Sequence, residues 1–246
     1  MTELAGKRAL VTGASRGIGA AIALALAEKG ADVAITYEKS ADRAAEVVRA
    51  IEAKGRRAFA IQADSADAAA VKRSVASAVD ALGGLDILVN NAGIARAAAV
   101  ADMDLSDIDA LLAVNVRAVV LASQAAIPHL PTGGRIVSIG SCLGERVPFG
   151  GTTVYSMTKS ALLAFNRGLS RELGPRDITV NLVQPGPIDT DMNPADGAQA
   201  ETIRALTSLG RYGTPEDIAA AVAFLASPAA RQITGSVITV DGGANA

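Results

Sequence analysis

The chain alternates between two patterns of apolar and polar positions. Short runs rich in valine, isoleucine and leucine predict β-strands, and longer Ala-rich stretches between them predict helices. The predicted strands cover residues 8–12, 32–37, 57–62, 86–90, 135–140, 178–183 and 237–240. The predicted helices cover residues 17–29, 41–54, 67–82, 105–129, 154–173 and 214–226, and the helix over 105–129 has a break near Val114.

The order and character of these elements predict the fold class. The strands do not alternate between apolar and polar residues and are apolar on both faces, which is typical of buried parallel strands. Helix boundaries are marked by Gly30 and Gly55 after two helices and by Thr214 with Pro215 before the last. Strand and helix alternating with right-handed crossovers predict one α/β domain over 1–246, built on a doubly wound, seven-stranded parallel sheet with helices on both faces.

Composition narrows the class of protein. Half of the residues are hydrophobic but only 3% are aromatic, so we expect a core of Ala, Val, Ile and Leu. The net charge of −2 gives no indication of a nucleic-acid or membrane partner. Cys142 is alone, so no disulfide forms within the chain, and the cytoplasm is the expected compartment. We find no secretory signal in residues 1–7, and the apolar stretch 118–130, broken by Gln124 and Pro128, is too short to span a bilayer.

A glycine cluster follows the first predicted strand directly and opens the first helix. Gly13, Gly17 and Gly19 have the spacing Gly-x3-Gly-x-Gly. Such a loop lets the backbone turn sharply, approach a pyrophosphate closely and present unpaired N–H groups at a helix N-terminus. The alternative is a plain turn with a glycine cap. The strand-to-helix context favours the phosphate loop.

Tyr155 and Lys159 are candidates for proton transfer. Four residues apart on a predicted helix, their side chains share one face. A free phenol has a pKa near ~10, and a nearby ammonium can lower it by roughly 1–3 units. Taken alone, a Tyr and a Lys at this spacing also occur by chance on an amphipathic helix. Their position after the glycine loop and after Ser141 favours the catalytic interpretation.

The motifs together resemble the short-chain dehydrogenase/reductase family across essentially the whole chain. The features that carry the resemblance, in chain order, are Thr12-Gly13-x3-Gly17-x-Gly19, Asn90-Asn91-Ala92-Gly93, Asn115, Ser141, Tyr155-x3-Lys159 and Pro185-Gly186. The resemblance implies a single-domain Rossmann fold and hydride transfer between a nicotinamide cofactor and a small carbonyl or alcohol substrate.

The resemblance also implies roles for four side chains. Ser141 would hydrogen-bond the substrate oxygen and Tyr155 would transfer the proton. Lys159 would lower the pKa of the tyrosine and bind the nicotinamide ribose, and Asn115 would anchor a water that links Lys159 to solvent.

Neighbouring residues offer alternatives to these roles. Ser138 is a competing serine, but it falls inside a predicted strand, where a structural hydroxyl is expected. Spacing alone does not separate Ser141 from Cys142, and the Ile139-Gly140-Ser141 context favours the serine. His129, the only histidine, is expected to end a helix, and no metal site is indicated.

The residues at the end of the second predicted strand indicate which nicotinamide cofactor the chain prefers. An acidic residue at its end would bind the ribose 2′-hydroxyl and select NAD(H), but Thr36 and Tyr37 occupy that position. Glu38 fits a 2′-phosphate poorly unless it points away. The groups available to a 2′-phosphate are Arg16, Lys39 and Ser40. We therefore expect NADP(H) to be preferred, with NAD(H) possible.

The remaining cofactor contacts follow from the resemblance. Asp64 would contact the adenine, and its alternative role is to cap the following helix. Asn90 and Ala92 would line the adenosine ribose, and Ile188 and Thr190 would hold the carboxamide. The expected cofactor-binding set is Gly13, Ser15, Arg16, Gly17, Ile18, Gly19, Tyr37, Lys39, Ser40, Asp64, Ser65, Asn91, Ala92, Gly93, Tyr155, Lys159, Pro185, Gly186, Ile188 and Thr190.

The substrate has two candidate classes. The 3-oxoacyl-[acyl-carrier-protein] reductases resemble the chain broadly, and Arg176 matches one of their basic positions, but the turn 131–134 lacks their basic cluster. The segments 184–197 and 144–148 more closely resemble a reductase subgroup that contains a cyclic-di-GMP-binding biofilm dispersal mediator. The alternative function is therefore a nucleotide-binding regulator with secondary or no redox activity.

The last expectations concern the lid and the assembly. Residues 191–211 fall where this fold carries a mobile lid over the substrate. The apolar residues expected to shape the pocket are Leu143, Val147, Phe149, Met192 and Leu206. The resemblance implies a homotetramer, or a homodimer, formed through the helices 105–129 and 154–173 and the C-terminal strand.

Overall fold

A single parallel sheet organises the computed structural model, which describes residues 2–246. Its strands are β1 (Arg8–Val11), β2 (Asp32–Tyr37), β3 (Ala58–Gln62), β4 (Ile87–Asn90), β5 (Arg135–Ile139), β6 (Thr179–Pro185) and β7 (Val237–Val240). Its helices are α1 (Gly17–Glu28), α2 (Ala41–Glu52), α3 (Ala68–Leu82), α4 (Leu105–Leu112), α5 (Ala118–Ala126), α6 (Thr153–Leu173), α7 (Ala200–Ala205) and α8 (Pro215–Ala226). The predicted fold class is confirmed.

The strand order is β3-β2-β1-β4-β5-β6-β7, and every pair is parallel. Helices α1, α2 and α8 pack on one face of the sheet, and α3, α5 and α6 pack on the other. The order reverses between β1 and β4, and ligands of open α/β sheets bind outside the carboxyl ends of the strands at such a point. The glycine loop after β1 and the Asn-Asn-Ala-Gly segment after β4 meet there.

Burial along the strands separates the centre of the sheet from its edges. Strands β4, β5 and β6 are buried throughout, as predicted for parallel strands covered on both faces. The prediction is wrong for the edge strands. Strand β3 alternates between more and less buried residues, and β7 is partly exposed along its length, because an edge strand has a neighbour on one side only.

The predicted break near Val114 is a short π-helical segment, Ala113–Arg117, between α4 and α5. Such bulges in helices are often found at functional sites, and this one carries the buried Asn115. By length and composition alone the continuous helical stretch Leu105–His129 could cross a membrane. Half of its most apolar window is buried inside the chain, as in a core helix.

Side-chain caps fix two of the helix starts. Thr214 and Asp217 form a reciprocal capping box at α8, with Pro215 at the first helical position, as the sequence indicates. Asp67 caps α3 through the amide N–H groups of Ala69 and Ala70. The capping role considered for Asp64 is therefore wrong, because Asp64 instead accepts from Ala66 N in the turn before the helix.

Candidate functional site

Two glycines of the loop, Gly13 and Gly19, are packed so closely that neither position can carry a side chain. Gly13 has a φ of +63°, and a Cβ on it would lie 2.8 Å from the backbone Cα of Ala92. A Cβ on Gly19 would lie 2.4 Å from Nδ2 of Asn91 and 2.7 Å from the Gly13 carbonyl oxygen. The Asn91 amide donates to the carbonyl oxygens of Thr12 and Gly13. The segment after β4 therefore holds the phosphate loop in shape.

The loop delivers the first turn of α1 to the carboxyl edge of the sheet. Arg16, the residue before the helix, is extended, and no side chain within the described residues caps α1. The first N–H groups of an uncapped helix remain available, and the helix dipole adds positive potential. This end of α1 fits the pyrophosphate of a dinucleotide, and it could hold that group through backbone alone.

Lys159, Asn115 and Gly93 meet beside the loop. Lys159 is 5% exposed, and its ammonium donates to the Ile139 carbonyl oxygen at 3.0 Å. Asn115 accepts from Ile94 N at 2.9 Å and donates to the Ile94 carbonyl oxygen at 3.0 Å. A Cβ on Gly93 would lie 3.4 Å both from Oδ1 of Asn115 and from Nζ of Lys159. The π-helical segment thus places Asn115 beside the lysine, as the resemblance implied.

Tyr155 is half-buried and lies on the same face of α6 as Lys159. The ammonium nitrogen is 5.9 Å from the centre of the Tyr155 ring. Burial raises the pKa of Tyr155, and the Ser141 side chain acts in the opposite direction. Burial lowers the pKa of Lys159 to about 8. The expectation that Lys159 brings the tyrosine pKa below its usual value is wrong for the chain alone, because burial dominates and the ammonium hydrogen-bonds Ile139.

The serine after β5 is placed differently from its two competitors. Ser141 is buried at the carboxyl end of β5, and its Oγ accepts from Leu143 N at 3.2 Å. Ser138 accepts from the buried Asn90 amide at 3.3 Å inside the sheet, which confirms a structural hydroxyl. Burial raises the pKa of Cys142 to about 11, so its thiol is unreactive near neutral pH. Of the three, the geometry favours Ser141.

The end of β2 is occupied in a way that the sequence did not indicate. Thr36 is buried, and its Oγ1 accepts from Gly13 N at 2.9 Å, so it supports the phosphate loop rather than a ribose. Lys39 is exposed and pairs with Glu38 at 2.9 Å. Glu38 therefore neutralises the lysine that was expected to receive a 2′-phosphate. Ser40 precedes α2 without capping it.

Arg43 is a functional candidate that the sequence analysis missed. It lies in the first turn of α2, and its Nη1 is 2.6 Å from Oδ2 of Asp191. The same carboxylate oxygen is 3.3 Å from Nη1 of Arg16. The arginines hold the pKa of Asp191 below its usual value, with the hydrogen bond from Arg43 as the largest cause. No local pattern indicates this contact, because Arg43 and Asp191 are 148 positions apart.

The segment after β6 closes the other side of the loop. A Cβ on Gly186 would lie 2.4 Å from Cα of Asp241, so only glycine fits there. Thr190 is adjacent to the phosphate loop, 3.5 Å from the position of a Cβ on Gly17. Ile188 pairs with Gly213 in an isolated bridge. Pro185 itself belongs to β6, which extends two residues beyond the predicted end at 183.

Arg176, which matches a basic position of the acyl-carrier-protein reductases, lies away from the carboxyl edge of the sheet. Arg176 precedes β6, at the amino edge of the sheet, and donates to the carbonyl oxygens of Ile127 and Leu130. Within its own chain it supports the end of the helix before β5 and does not reach the site rim.

Residues 2–246 contain no group of three or more His, Cys, Asp or Glu side chains placed to hold a metal ion.

Comparisons with known proteins agree with this geometry. The sequence model of a family described as enoyl-(acyl carrier protein) reductase matches residues 13–245. The crystal structure of a short chain dehydrogenase from Burkholderia cenocepacia J2315 in complex with NADP is 62% identical, with a TM-score of 0.98 over 99% of this chain and 100% of that chain.

Two curated relatives carry different descriptions. The cyclic-di-GMP-binding biofilm dispersal mediator protein of Escherichia coli (strain K12) is 44% identical over 242 residues, which is 98% of this chain and 98% of the relative. A 3-oxoacyl-[acyl-carrier-protein] reductase of Staphylococcus aureus (strain Mu50 / ATCC 700699) is 43% identical over 240 residues, which is 96% of this chain and 97% of the relative.

Proposed function

Because this chain belongs to the short-chain dehydrogenase/reductase family of NAD(P)(H)-dependent oxidoreductases, we propose that it reduces a small carbonyl compound with NADPH, or oxidises the corresponding alcohol. The observation that carries this proposal is the convergence of four side chains at the carboxyl edge of the sheet. Tyr155 and Lys159 come from α6, Ser141 from the end of β5 and Asn115 from the π-helical segment, and the phosphate loop lies beside them.

The proton step follows from the state of each group. When bound, the nicotinamide supplies or accepts the hydride. Tyr155 has a raised pKa, so its phenol is protonated at neutral pH and is suited to donate a proton to a carbonyl oxygen that gains charge. Ser141 donates a hydrogen bond to the same oxygen, a contact that contributes about 3 kcal/mol when it is preorganised. Lys159 binds the nicotinamide ribose, and Asn115 anchors a water that links Lys159 to solvent.

The cofactor preference rests on the surroundings of β2. No residue at the end of β2 itself is placed to accept from the 2′-hydroxyl of NAD(H), since Thr36 accepts from Gly13 N and Glu38 pairs with Lys39. Arg16 stays at the loop, where a 2′-phosphate would bind. The NADP complex of the Burkholderia relative supports the same preference. We propose NADP(H) as the preferred cofactor, with NAD(H) bound more weakly.

The substrate is proposed to be a small ketone or a 3-oxoacyl thioester. Val147, Phe149 and Met192 are exposed apolar side chains, and we propose that they line the rim of the site. The segment 191–211 contains α7 and is proposed as the lid over the substrate. The Staphylococcus relative supports an acyl substrate, but Arg176 offers no basic contact at the rim of its own chain. A carbonyl compound free of a carrier protein is therefore favoured.

The decisive experiment compares two tyrosine variants. NADPH and NADH are screened against ketones, 3-oxoacyl thioesters and sugars, and the best pair is then used with Tyr155→Phe. We expect kcat to fall by at least about 10²-fold while NADPH still binds, because only the proton donor is lost. Tyr212→Phe, which removes a phenol that hydrogen-bonds Asn193, is the matched control and keeps turnover. Full activity in Tyr155→Phe would overturn the mechanism.

A second candidate function is supported by the Escherichia coli relative, which is described as binding cyclic-di-GMP. Its match covers the segments 144–148 and 184–197 that carried the resemblance in the sequence. A regulator would bind the cyclic dinucleotide with micromolar affinity, and that binding would survive Tyr155→Phe. Calorimetry that detects no binding of the cyclic dinucleotide to the cofactor-free protein excludes this function and leaves the proposed oxidoreductase activity unaffected.

We also propose that the protein works in the cytoplasm as a homotetramer, with a homodimer as the alternative. Helix α4 presents Leu105 to solvent with 71% of its surface exposed, and Val120 on α5 is 40% exposed. Large apolar side chains exposed on both helices of the expected interface support this assembly.

A further inference from the structure

Three exposed charged residues form one ion cluster at the edge of the proposed cofactor site. The Asp191 carboxylate oxygen Oδ2 accepts from Arg43 at 2.6 Å and from Arg16 at 3.3 Å. Two guanidinium groups thus converge on one oxygen atom. With both arginines charged and one carboxylate between them, the cluster keeps a net positive charge.

The three residues come from different parts of the fold. Arg16 directly precedes α1 in the phosphate loop, and Arg43 lies in the first turn of α2, just after the end of β2. Asp191 follows Thr190, where the chain leaves the sheet and enters the segment 191–211. In folds of this type a 2′-phosphate binds near the end of β2 and the phosphate loop, and Arg43 lies on the helix that follows β2 while Arg16 lies in the loop itself.

We propose that Arg43 acts with Arg16 to select the 2′-phosphate of NADP(H), and that Asp191 is an internal counter-anion which this phosphate displaces from the two arginines. The inference rests on the proposed function and adds a residue, Arg43, and a competitor, Asp191, to it. Lys39 forms a separate exposed pair with Glu38 and is not part of this cluster.

The chemistry of the groups supports the exchange. Guanidinium groups bind phosphate oxygens in a planar, two-pronged geometry that an ammonium cannot offer. All three members of the cluster are exposed, and exposed ion pairs contribute little to stability, so Asp191 is easily replaced. A phosphate bound to both arginines would lie against the Asp191 oxygen. Repulsion between like charges therefore moves the carboxylate away.

The exchange also connects the cofactor to the lid. Asp191 is the first residue of the segment 191–211, and its carboxylate ties that segment to α2. When a 2′-phosphate takes over the arginines, this tie is released. NADH lacks the phosphate, so the ion pair between Asp191 and Arg43 stays intact. The segment 191–211 is therefore released from α2 when NADPH is bound and remains attached to it when NADH is bound.

The first test removes Arg43. Dissociation constants for NADPH and NADH are measured by titrating the fluorescence of the reduced cofactors. We expect Arg43→Ala to weaken NADPH binding by about tenfold and to leave NADH binding unchanged, because one charged contact to the phosphate is lost. Arg49→Ala, an exposed arginine on the same helix, is the control and changes neither constant. Equal weakening of both cofactors, or no change, overturns the role of Arg43.

The second test removes the competitor. Asp191→Asn keeps the shape of the side chain and removes its charge, so we expect NADPH to bind about threefold more tightly, with NADH binding unchanged. Asp80→Asn, at an exposed site on α3, is the control. Weaker NADPH binding in Asp191→Asn would show that Asp191 holds the bound cofactor, and unchanged binding would show that it does not compete. Either result overturns the displacement.

Failure of this inference is distinct from failure of the proposed function. If the wild-type protein binds NADPH and turns over a carbonyl compound while these variants behave like the wild type, only the cluster is misassigned. If the wild-type protein binds neither reduced cofactor, the proposed function itself fails.

Discussion

At the scale of single residues, the site contains the buried ammonium of Lys159, and its desolvation lowers the stability of the folded chain. Lys159 has its pKa lowered to about 8 by burial, and its one direct protein partner is the Ile139 carbonyl oxygen. Each unit of pKa shift corresponds to about 1.4 kcal/mol. Lys159→Met should therefore abolish turnover and raise the free energy of unfolding at pH 7 by about 1–3 kcal/mol. Denaturant unfolding without cofactor measures it, and destabilisation would contradict the burial argument.

The same residue predicts a pH dependence with a definite sign. Unfolded, the lysine holds its proton up to its usual pKa of 10.5, whereas in the folded chain it loses the proton near 8. Between these values the unfolded state binds more protons, so the contribution of Lys159 to stability rises with pH. The stability gain of Lys159→Met over the wild type should thus be largest below pH 8 and shrink toward pH 10.5. Unfolding curves of both proteins at matched pH test this, and a constant difference would refute it.

Serine removal separates the two hydroxyls that the sequence left as competitors. Ser141→Ala should lower kcat by about 10²–10³-fold if its hydroxyl stabilises the developing oxyanion. Ser138→Ala should leave kcat unchanged and cost about 1 kcal/mol of stability, because the buried Asn90 amide loses one acceptor. Steady-state kinetics and thermal unfolding of both variants distinguish them. Similar losses of kcat in both variants would contradict the assignment.

The sequence indicated Tyr155 and Lys159 through the Tyr-x3-Lys motif, and Ser141 and Asn115 through their order in the family resemblance. It did not indicate Arg43, because its partner Asp191 is remote in sequence and only folding brings them together. The direction in which the Tyr155 pKa shifts could not be predicted either, since it depends on how deeply α6 buries the phenol.

At the scale of elements, the phosphate loop and the segment after β4 behave as one unit. Gly13→Ala should abolish cofactor binding and lower stability, because its Cβ would lie 2.8 Å from Cα of Ala92, backbone that cannot yield without moving the loop. Gly55→Ala is the matched control. Gly55 has a similar φ of +73° but no atom within 4 Å of the added Cβ, so only conformational strain remains. Cofactor titration and thermal unfolding compare them, and equal effects would contradict the role of the close contact.

Element boundaries were predicted well where the chain marks them. Strands β2 and β7 have their predicted bounds, and Thr214 begins α8 as its capping pattern indicates. The prediction failed for the two faces of β3 and β7, because position within a sheet decides burial and no local pattern shows which strand lies at an edge. The π-helical segment was predicted only as a break, since its exact form depends on packing around Asn115.

At the scale of the whole molecule, the alternation of strands and helices was enough to predict the doubly wound sheet. The position of the site follows from the same topology, because the loops after β1, β4, β5 and β6 all open at the carboxyl edge. The contacts of the segment 191–211 were beyond reach, since they depend on long-range partners such as the Tyr212 hydroxyl, which donates to Asn193.

The exposed apolar surface of α5 leads to a prediction about the oligomeric state of the protein. Val120 is exposed on α5, in the predicted interface formed by 105–129 and 154–173, and a stable interface buries about 800 Å² on each partner. Val120→Glu would place a charge in that contact and should shift the protein from four times the chain mass of 24.8 kDa to smaller species. Light scattering with size-exclusion chromatography measures the mass. Ala50→Glu, an exposed position on α2 outside the predicted interface, should leave the assembly intact. An unchanged mass in Val120→Glu would place the subunit contact on another face of the molecule.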